Sequence, residues 1–248
     1  MNVLSNGLKI EVIATGVVFH TLKDWGMAVG NNNYIGEPEQ ETYYIDVPGT
    51  NAFLDMSEAL TGEPVYKSRA ISVMLGSLKP RMEWDHIISD LRNKVHGREC
   101  KIIFDNDIDH YWIGRVYIEG FDRVRELGTL QLNIPKAEPY KYDLQSSAEK
   151  WLWDSFSFEH GVIRTIGTLA VNGQYSQVIP KGTMLTVPVF IVSNIASIEF
   201  TVSDGQNRFS LINGRNRFPK LKVCGADDVT LVFQGKGTVV IDYRGGSL

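Results

Sequence analysis

Trp84-Asp85-His86-Ile87-Ile88-Ser89-Asp90-Leu91-Arg92-Asn93-Lys94-Val95-His96-Gly97 is the one stretch of this chain in which apolar residues recur at helical spacing. Trp84, Ile87, Ile88, Leu91 and Val95 stand at i, i+3, i+4, i+7 and i+11, so all five share one face, while Asp85, Ser89, Asp90, Arg92 and Lys94 fill the other. The spacing predicts an amphipathic helix of about three turns over 84–96. Its acids come early and its bases late, as the helix dipole favours, and Gly97 is placed for a left-handed C-terminal cap. Two strand-like runs follow, 100–104 and 111–118, around the polar Asp105-Asn106-Asp107-Ile108-Asp109, which reads as a solvated hairpin tip. A lone helix has to bury its stripe on something, and the adjoining strands predict a sheet.

Working outward, residues 8–13 alternate apolar and polar as a half-buried strand does, and 15–22 reads as a second strand. The glycine- and asparagine-rich residues 26–41 read as a long polar loop, an arm or a flexible connection, ahead of a strand at 42–47. Pro48-Gly49 signals a turn; Asp55 with Glu58 approximates a capping box, predicting one helical turn that ends at Gly62. Strands are expected at 70–75 and at 128–134, the latter stopped by Pro135 and Pro139, and the polar 136–150 reads as a junction. From Trp151 onward only strand-sized runs appear, punctuated by Asn172-Gly173, Pro180-Lys181-Gly182, Asp204-Gly205, Asn213-Gly214 and Gly235-Lys236-Gly237. That pattern predicts a β-sandwich or barrel, with Ile198, Phe200 and Val202 facing inward, Glu199, Thr201 and Ser203 outward, and Val239, Ile241 and Tyr243 inward again. The expected fold class is mainly β: an α+β domain over 1–138 with one helix at about 84–96, and a β-sandwich domain over 139–248.

A hydrophobic fraction of 43% with 22% charged residues is that of a globular protein, and no apolar run approaches the roughly 20 residues of a membrane-spanning helix. No signal peptide is read at the N-terminus, and no membrane association is expected. Cys100 and Cys224 are expected as free, buried thiols, in keeping with a reducing compartment. Net charge is −4, too small to indicate nucleic-acid binding, and it is unevenly spread: residues 1–138 carry 14 Lys and Arg against 20 Asp and Glu, whereas 139–248 carry 11 against 9.

Catalytic and metal signatures are sparse. Asp105, Asp107 and Asp109 share the alternating acids of a calcium loop, but His110 stands where the turn glycine belongs and Val116 where the bidentate glutamate belongs. No pair of the five histidines has zinc-ligand spacing on a helix, and His86 and His96 read as surface or cap residues. A serine elbow, a phosphate loop and a dinucleotide fingerprint are missing, so no catalytic residue, cofactor or metal is assigned and an enzyme is not expected. Tyr140, Tyr142, Trp151, Trp153, Phe156 and Phe158 form an aromatic cluster. It reads first as packing, and alternatively as sugar-stacking platforms, Trp151 and Trp153 foremost, in a soluble carbohydrate-binding β-sandwich protein.

The order of these features resembles a known family. Val47-Pro48-Gly49 through Leu54-Asp55, Gly62 to Tyr66 with Arg69, the Trp84-led helix closing on His96-Gly97, the aspartate-rich turn before Tyr111-Trp112-Ile113-Gly114-Arg115, and Pro139-Tyr140 look like the distal tail protein of long, non-contractile-tailed (siphovirus) bacteriophages. The resemblance covers about the first 140 residues and extends in style over the rest; Thr50-Asn51 departs from the Arg-Asp of many relatives.

The resemblance implies an N-terminal split-barrel domain with one helix that closes into a homohexameric ring, and a galectin-like C-terminal sandwich projecting from it. Such a ring is the baseplate hub at the virion tail tip, assembled in the bacterial host cytoplasm from a free phage or a prophage. It joins the tail tube protein to the tail-tip (tail-associated) protein and in some relatives carries receptor-binding proteins, while DNA passes through without specific binding. Arg69, Arg81 and Arg115 are the candidate inter-subunit contacts, arginine being frequent in interfaces.

Overall fold

The computed structural model describes residues 6–59, 61–124, 127–149, 166–180, 182, 184–224 and 227–248. The chain is mainly β and divides into two compact units, 1–141 and 142–248.

In the first unit the elements are β1 (Leu8–Val12), β2 (Val17–His20), α1 (Thr21–Trp25), β3 (Met27–Val29), β4 (Tyr34–Ile35), β5 (Tyr44–Asp46), β6 (Phe53–Asp55), β7 (Arg69–Ser77), a 3-10 turn (Arg81–Glu83), α2 (Trp84–Val95), β8 (Glu99–Phe104), β9 (Asp107–Arg115), β10 (Tyr117–Val124) and β11 (Leu127–Ala137). One sheet runs β9-β8-β1-β2; a second runs β10-β11-β7-β3, with β4 also on β7. The chain crosses from the first sheet to the second at the single residue Val116, fully buried, whose N–H donates to the Arg98 carbonyl at 2.9 Å and whose carbonyl accepts from Gly97 at 2.7 Å. The sheets approach closely at Gly114, where a Cβ would lie 2.3 Å from the Ile134 side chain.

Trp84, Ile87, Ile88, Leu91 and Val95 of α2 are all buried in the core that both sheets share. The Trp84 ring meets Phe121 edge-on at 5.6 Å and lies over Gly128, and its indole N–H donates to the Lys79 carbonyl at 2.8 Å. At the other end of the helix, Asp90 accepts from the Trp25 indole at 2.8 Å and from Lys94 at 2.7 Å, and the Lys94 ammonium lies 5.2 Å from the Phe19 ring. Gly97 has the expected left-handed backbone (φ +72), but its N–H goes to Val116 rather than back into the helix.

Several sequence expectations change. Residues 15–22 hold not one strand but β2 followed by α1, whose five residues are too few to print a period. His20 caps α1: Leu22 N–H donates to its Nδ1 at 3.3 Å, which leaves the proton on Nε2 to donate to Asp105 at 3.1 Å. Residues 26–41 are not a free arm, because β3 and β4 lie along β7. Asp55 accepts from the Ser57 N–H and hydroxyl instead of capping a helix, although Gly62 does close a single turn on Glu58. Pro135 does not end β11; the strand shifts register between Ile134 and Ala137 and continues. The aspartate segment is no free tip: β9 begins at Asp107, and Asp105 accepts from Gly7 N–H at 2.7 Å.

The second unit holds β12 (Lys141–Asp143, which crosses the division), β13 (Thr168–Ile179), β14 (Val189–Ser193), β15 (Thr201–Ser203), β16 (Arg208–Ser210), β17 (Gly214–Arg217), β18 (Val229–Asp242) and β19 (Gly246–Ser247). Asn172-Gly173 and Gly235-Lys236-Gly237 are not turns. They face each other inside a twelve-pair ribbon of β13 on β18, with Gly173 (φ +95) opposite Gly235 (φ +127). On its other side β18 pairs with β15 before these glycines and with β14 after them. The outer strands β16 and β17 are joined by only three residues, so the sheet curls until its two ends meet around Phe190, Phe200, Phe233 and Ile241. Asn216 fastens that closure, its amide reaching Ile212 N–H and the carbonyls of Ile212, Gly214 and Phe190. Val239, Ile241 and Tyr243 face inward with Phe200 and Val202, but Ile198 is fully exposed and Thr201 is buried. The strand starts only at Thr201; Ser197, one residue before Ile198, holds a bend by accepting from Lys236 N–H at 2.9 Å. Residues 220–224 contribute a single bridge, Thr186 to Val223, rather than a strand.

Two substitutions test this packing. Trp84→Ala is expected to cost about 3–5 kcal/mol of unfolding free energy in urea titration, as large-to-small core changes do. Gly235→Ala is expected to cost at least about 1–3 kcal/mol, because its backbone disfavours any side chain and a Cβ would sit 2.4 Å from the Glu199 carbonyl.

Candidate functional site

The feature of the first unit that its core does not explain is the excursion between Gly36 and Arg69. It leaves the second sheet where Gly36 N–H donates to the Ala70 carbonyl at 2.8 Å and rejoins it at Arg69. Its foot is a short antiparallel stem: Gln40 bridges Tyr66, Glu41 N–H donates to Val65 at 2.7 Å, Lys67 N–H donates to Glu39 at 2.8 Å, and Tyr66 stands edge-on to Tyr140. Beyond the stem, β5 and β6 pair only with each other, Tyr44 opposite Asp55, Ile45 opposite Leu54 and Asp46 opposite Phe53.

Every residue of β5 and β6 is exposed, on both faces of the ribbon. Tyr43 and Phe53 are 63% and 62% exposed, with Tyr44, Ile45, Val47 and Leu54 beside them, and among the described residues the ribbon's one ring contact is Tyr44 against Phe53 at 4.8 Å. A two-stranded ribbon alone is marginal in water, and a contiguous exposed apolar patch marks an interaction site. Charge adds a second property. Residues 37–66 contain seven acids, Glu37, Glu39, Glu41, Asp46, Asp55, Glu58 and Glu63, and no lysine or arginine.

The three arginines singled out from the sequence are not brought together. Arg69 is buried at the foot of the excursion, its guanidinium 5.0 Å from the Trp112 ring, and its Nε and Nη2 make no hydrogen bond among the described residues. Burial pulls its pKa below the ordinary arginine value against the opposing charge of Glu37. Arg115 donates to the Gly97 carbonyl at 2.6 Å and so holds the end of α2. Arg81 is exposed in the 3-10 turn before α2. Trp151 and Trp153 lie outside the described residues.

No catalytic constellation assembles among the described residues, and no three of His, Cys, Asp and Glu converge as a metal requires. Two aspartates at the β8–β9 junction serve structure instead: Asp105 accepts from Gly7 N–H at 2.7 Å, and Asp107 takes hydrogen bonds from His110 at 2.5 Å and Lys141 at 2.8 Å, which hold its pKa at about 2. Cys100 is buried, and desolvation raises its thiol pKa to about 11, which keeps it protonated and unreactive. The outer flank of α2 bears an open groove lined by Ile88, Arg92, Asn93 and Phe121 and bordered by an Asp85–Arg123 ion pair, without an enclosed apolar pocket.

No family model and no curated protein matches the sequence. Among solved structures, a crystal structure of the Dit protein of phage SPP1 superposes with a TM-score of 0.58 at 14% sequence identity, covering 96% of this chain and 98% of that one. The chain shares its fold with SPP1 Dit. The likeness extends over both units, and the SPP1 protein is described as a paradigm of the hub adsorption apparatus in phages that infect Gram-positive bacteria.

Two outcomes are expected from the polar cluster and the buried arginine. Asp107 is depressed below the unfolded carboxylate value, so its contribution is present above about pH 4 and lost as pH falls toward 2. After screening at this half-exposed site it amounts to about 1 kcal/mol, and the stability gap between wild type and Asp107→Asn should close by that much between pH 6 and pH 2 in urea titrations. Arg69→Met, which keeps the packing on Trp112 and removes a desolvated charge, should leave the Tm unchanged or raise it.

Proposed function

We propose that this chain is a structural hub protein at the distal end of a phage tail, with no catalytic role. Six copies close into a ring through the first unit; the ring joins the tail tube protein to the tail-tip protein and serves as the mount for receptor-binding components. The whole-chain likeness to SPP1 Dit supports the class of role, and the unpartnered β5–β6 hairpin is the observation that carries self-association.

The physical argument runs from the hairpin. A closed ring with cyclic symmetry has a heterologous interface, in which each copy offers one surface and receives a different one. A projecting ribbon that exposes Ile45 and Leu54 on one face and Tyr44 and Phe53, beside Asp46 and Asp55, on the other is a donor of this kind, since its burial on the next copy removes from water the apolar area its own unit leaves wet. The acidic balance of residues 1–138 suits a ring around a DNA channel, where like charge keeps the polymer from adhering. The site of action is then the virion tail tip, with assembly in the host cytoplasm.

Light scattering on the purified chain should give the mass of six copies. The triple variant Tyr44→Ser, Phe53→Ser, Leu54→Ser should give single-chain mass with an unchanged circular dichroism spectrum, because none of the three side chains belongs to a core. An unaltered oligomer in that variant contradicts the role given to the hairpin.

A further inference from the structure

A donor hairpin needs a receiving surface, and the loop that leads into α2 meets its requirements. Leu78 and Met82 are 64% and 94% exposed, two large apolar side chains that flank the start of α2 outside its buried stripe. They do not hang on a loose segment. Leu78 N–H donates to the Gly26 carbonyl at 2.8 Å, Lys79 N–H donates to the Ser77 hydroxyl at 3.2 Å, the Lys79 carbonyl accepts from the Trp84 indole at 2.8 Å, and Glu83 N–H donates to the Pro80 carbonyl at 3.0 Å. Pro80 fixes one backbone angle between them. The result is a pinned apolar knob, and ordering it at an interface costs little conformational entropy.

Its charge is opposite to that of the hairpin. Lys79 and Arg81 are both exposed beside Leu78 and Met82, and Arg81 makes no ion pair among the described residues; Glu83 is the single acid of the turn, and Asp85 is already held by Arg123. Residues 37–66 have seven acids and no lysine or arginine, and the one base of the excursion, Lys67 in its stem, pairs with Glu39. We infer that the Leu78–Met82 knob is the receiving surface for the β5–β6 hairpin of a second copy of this chain, apolar side chains meeting apolar side chains and Lys79 and Arg81 meeting the hairpin's carboxylates. The inference rests on the ring reading above and specifies which face of the neighbour is used. Complementary charge also sets the direction of the contact, since hairpin against hairpin is repelled.

The test places a photo-crosslinking benzoylphenylalanine at Met82 in the full chain and irradiates a mixture of isotope-labelled and unlabelled protein. Mixed-label cross-linked peptides should join position 82 to residues 40–66 of another copy; cross-links from the oligomer that lead elsewhere overturn the inference. In parallel, Lys79→Glu with Arg81→Glu should lower the oligomeric fraction at least tenfold at low salt, and adding Asp46→Lys with Glu58→Lys in the same chain should restore it. If the doubly reversed knob assembles like wild type, the knob is not the receiving face and the ring reading stands. If wild type stays at single-chain mass at every concentration, the ring reading falls and this inference falls with it.

Discussion

The first unit depends on the burial of one helical stripe. Trp84 at its start rests on Phe121 and Gly128 of the second sheet, while Asp90 and Lys94 near its end reach Trp25 and Phe19 beside the first. A single helix thereby ties together two sheets that also meet at the corner at Val116 and at the close approach at Gly114. Each large side chain in such a core contributes on the order of 1.5–3 kcal/mol by leaving water, which is ample against the few kcal/mol by which domains are stable.

That core is closed without the excursion between Gly36 and Arg69: among the described residues, no apolar side chain from 30–70 belongs to it. Evolution does not ordinarily keep Tyr43, Tyr44, Ile45, Phe53 and Leu54 in water on a ribbon that stabilises nothing in its own unit. The separation of a self-sufficient scaffold from a surplus apolar ribbon is the physical basis for reading the chain as an assembling protein.

The sequence carried the scaffold well and the exceptions poorly, for identifiable reasons. A 12-residue helix is long enough to print its period, so all five positions of its buried face were legible; the five-residue α1 is not, and its cap is a histidine, which no capping rule anticipates. Asn172-Gly173 and Gly235-Lys236-Gly237 carry turn chemistry, yet opposite each other in a long ribbon the glycines supply two bends in place of two ends. The site was half legible. An arm or a flexible connection was expected at the polar 26–41, whereas the exposed ribbon lies within 44–55: Tyr44-Ile45-Asp46 falls in an expected strand, and Phe53-Leu54-Asp55 falls in a stretch whose Pro48-Gly49 and Asp55-Glu58 signalled a turn and a helical turn. Nothing in local sequence distinguishes a strand pair that packs on its own unit from one that does not. Arg69 was picked for its residue type, and only the fold shows it buried against Trp112 while Arg115 holds a helix end and Arg81 stands free at the surface.

Amide hydrogen exchange as a function of protein concentration tests the central claim most directly. Amides of α2 should exchange only through global unfolding at every concentration, whereas those of β5 and β6 should exchange within seconds in the dilute chain and become protected as it is concentrated. Protection of β5 and β6 equal to that of α2 in the dilute chain would contradict the account, because the ribbon would then be part of its own unit and not a surface kept for another copy.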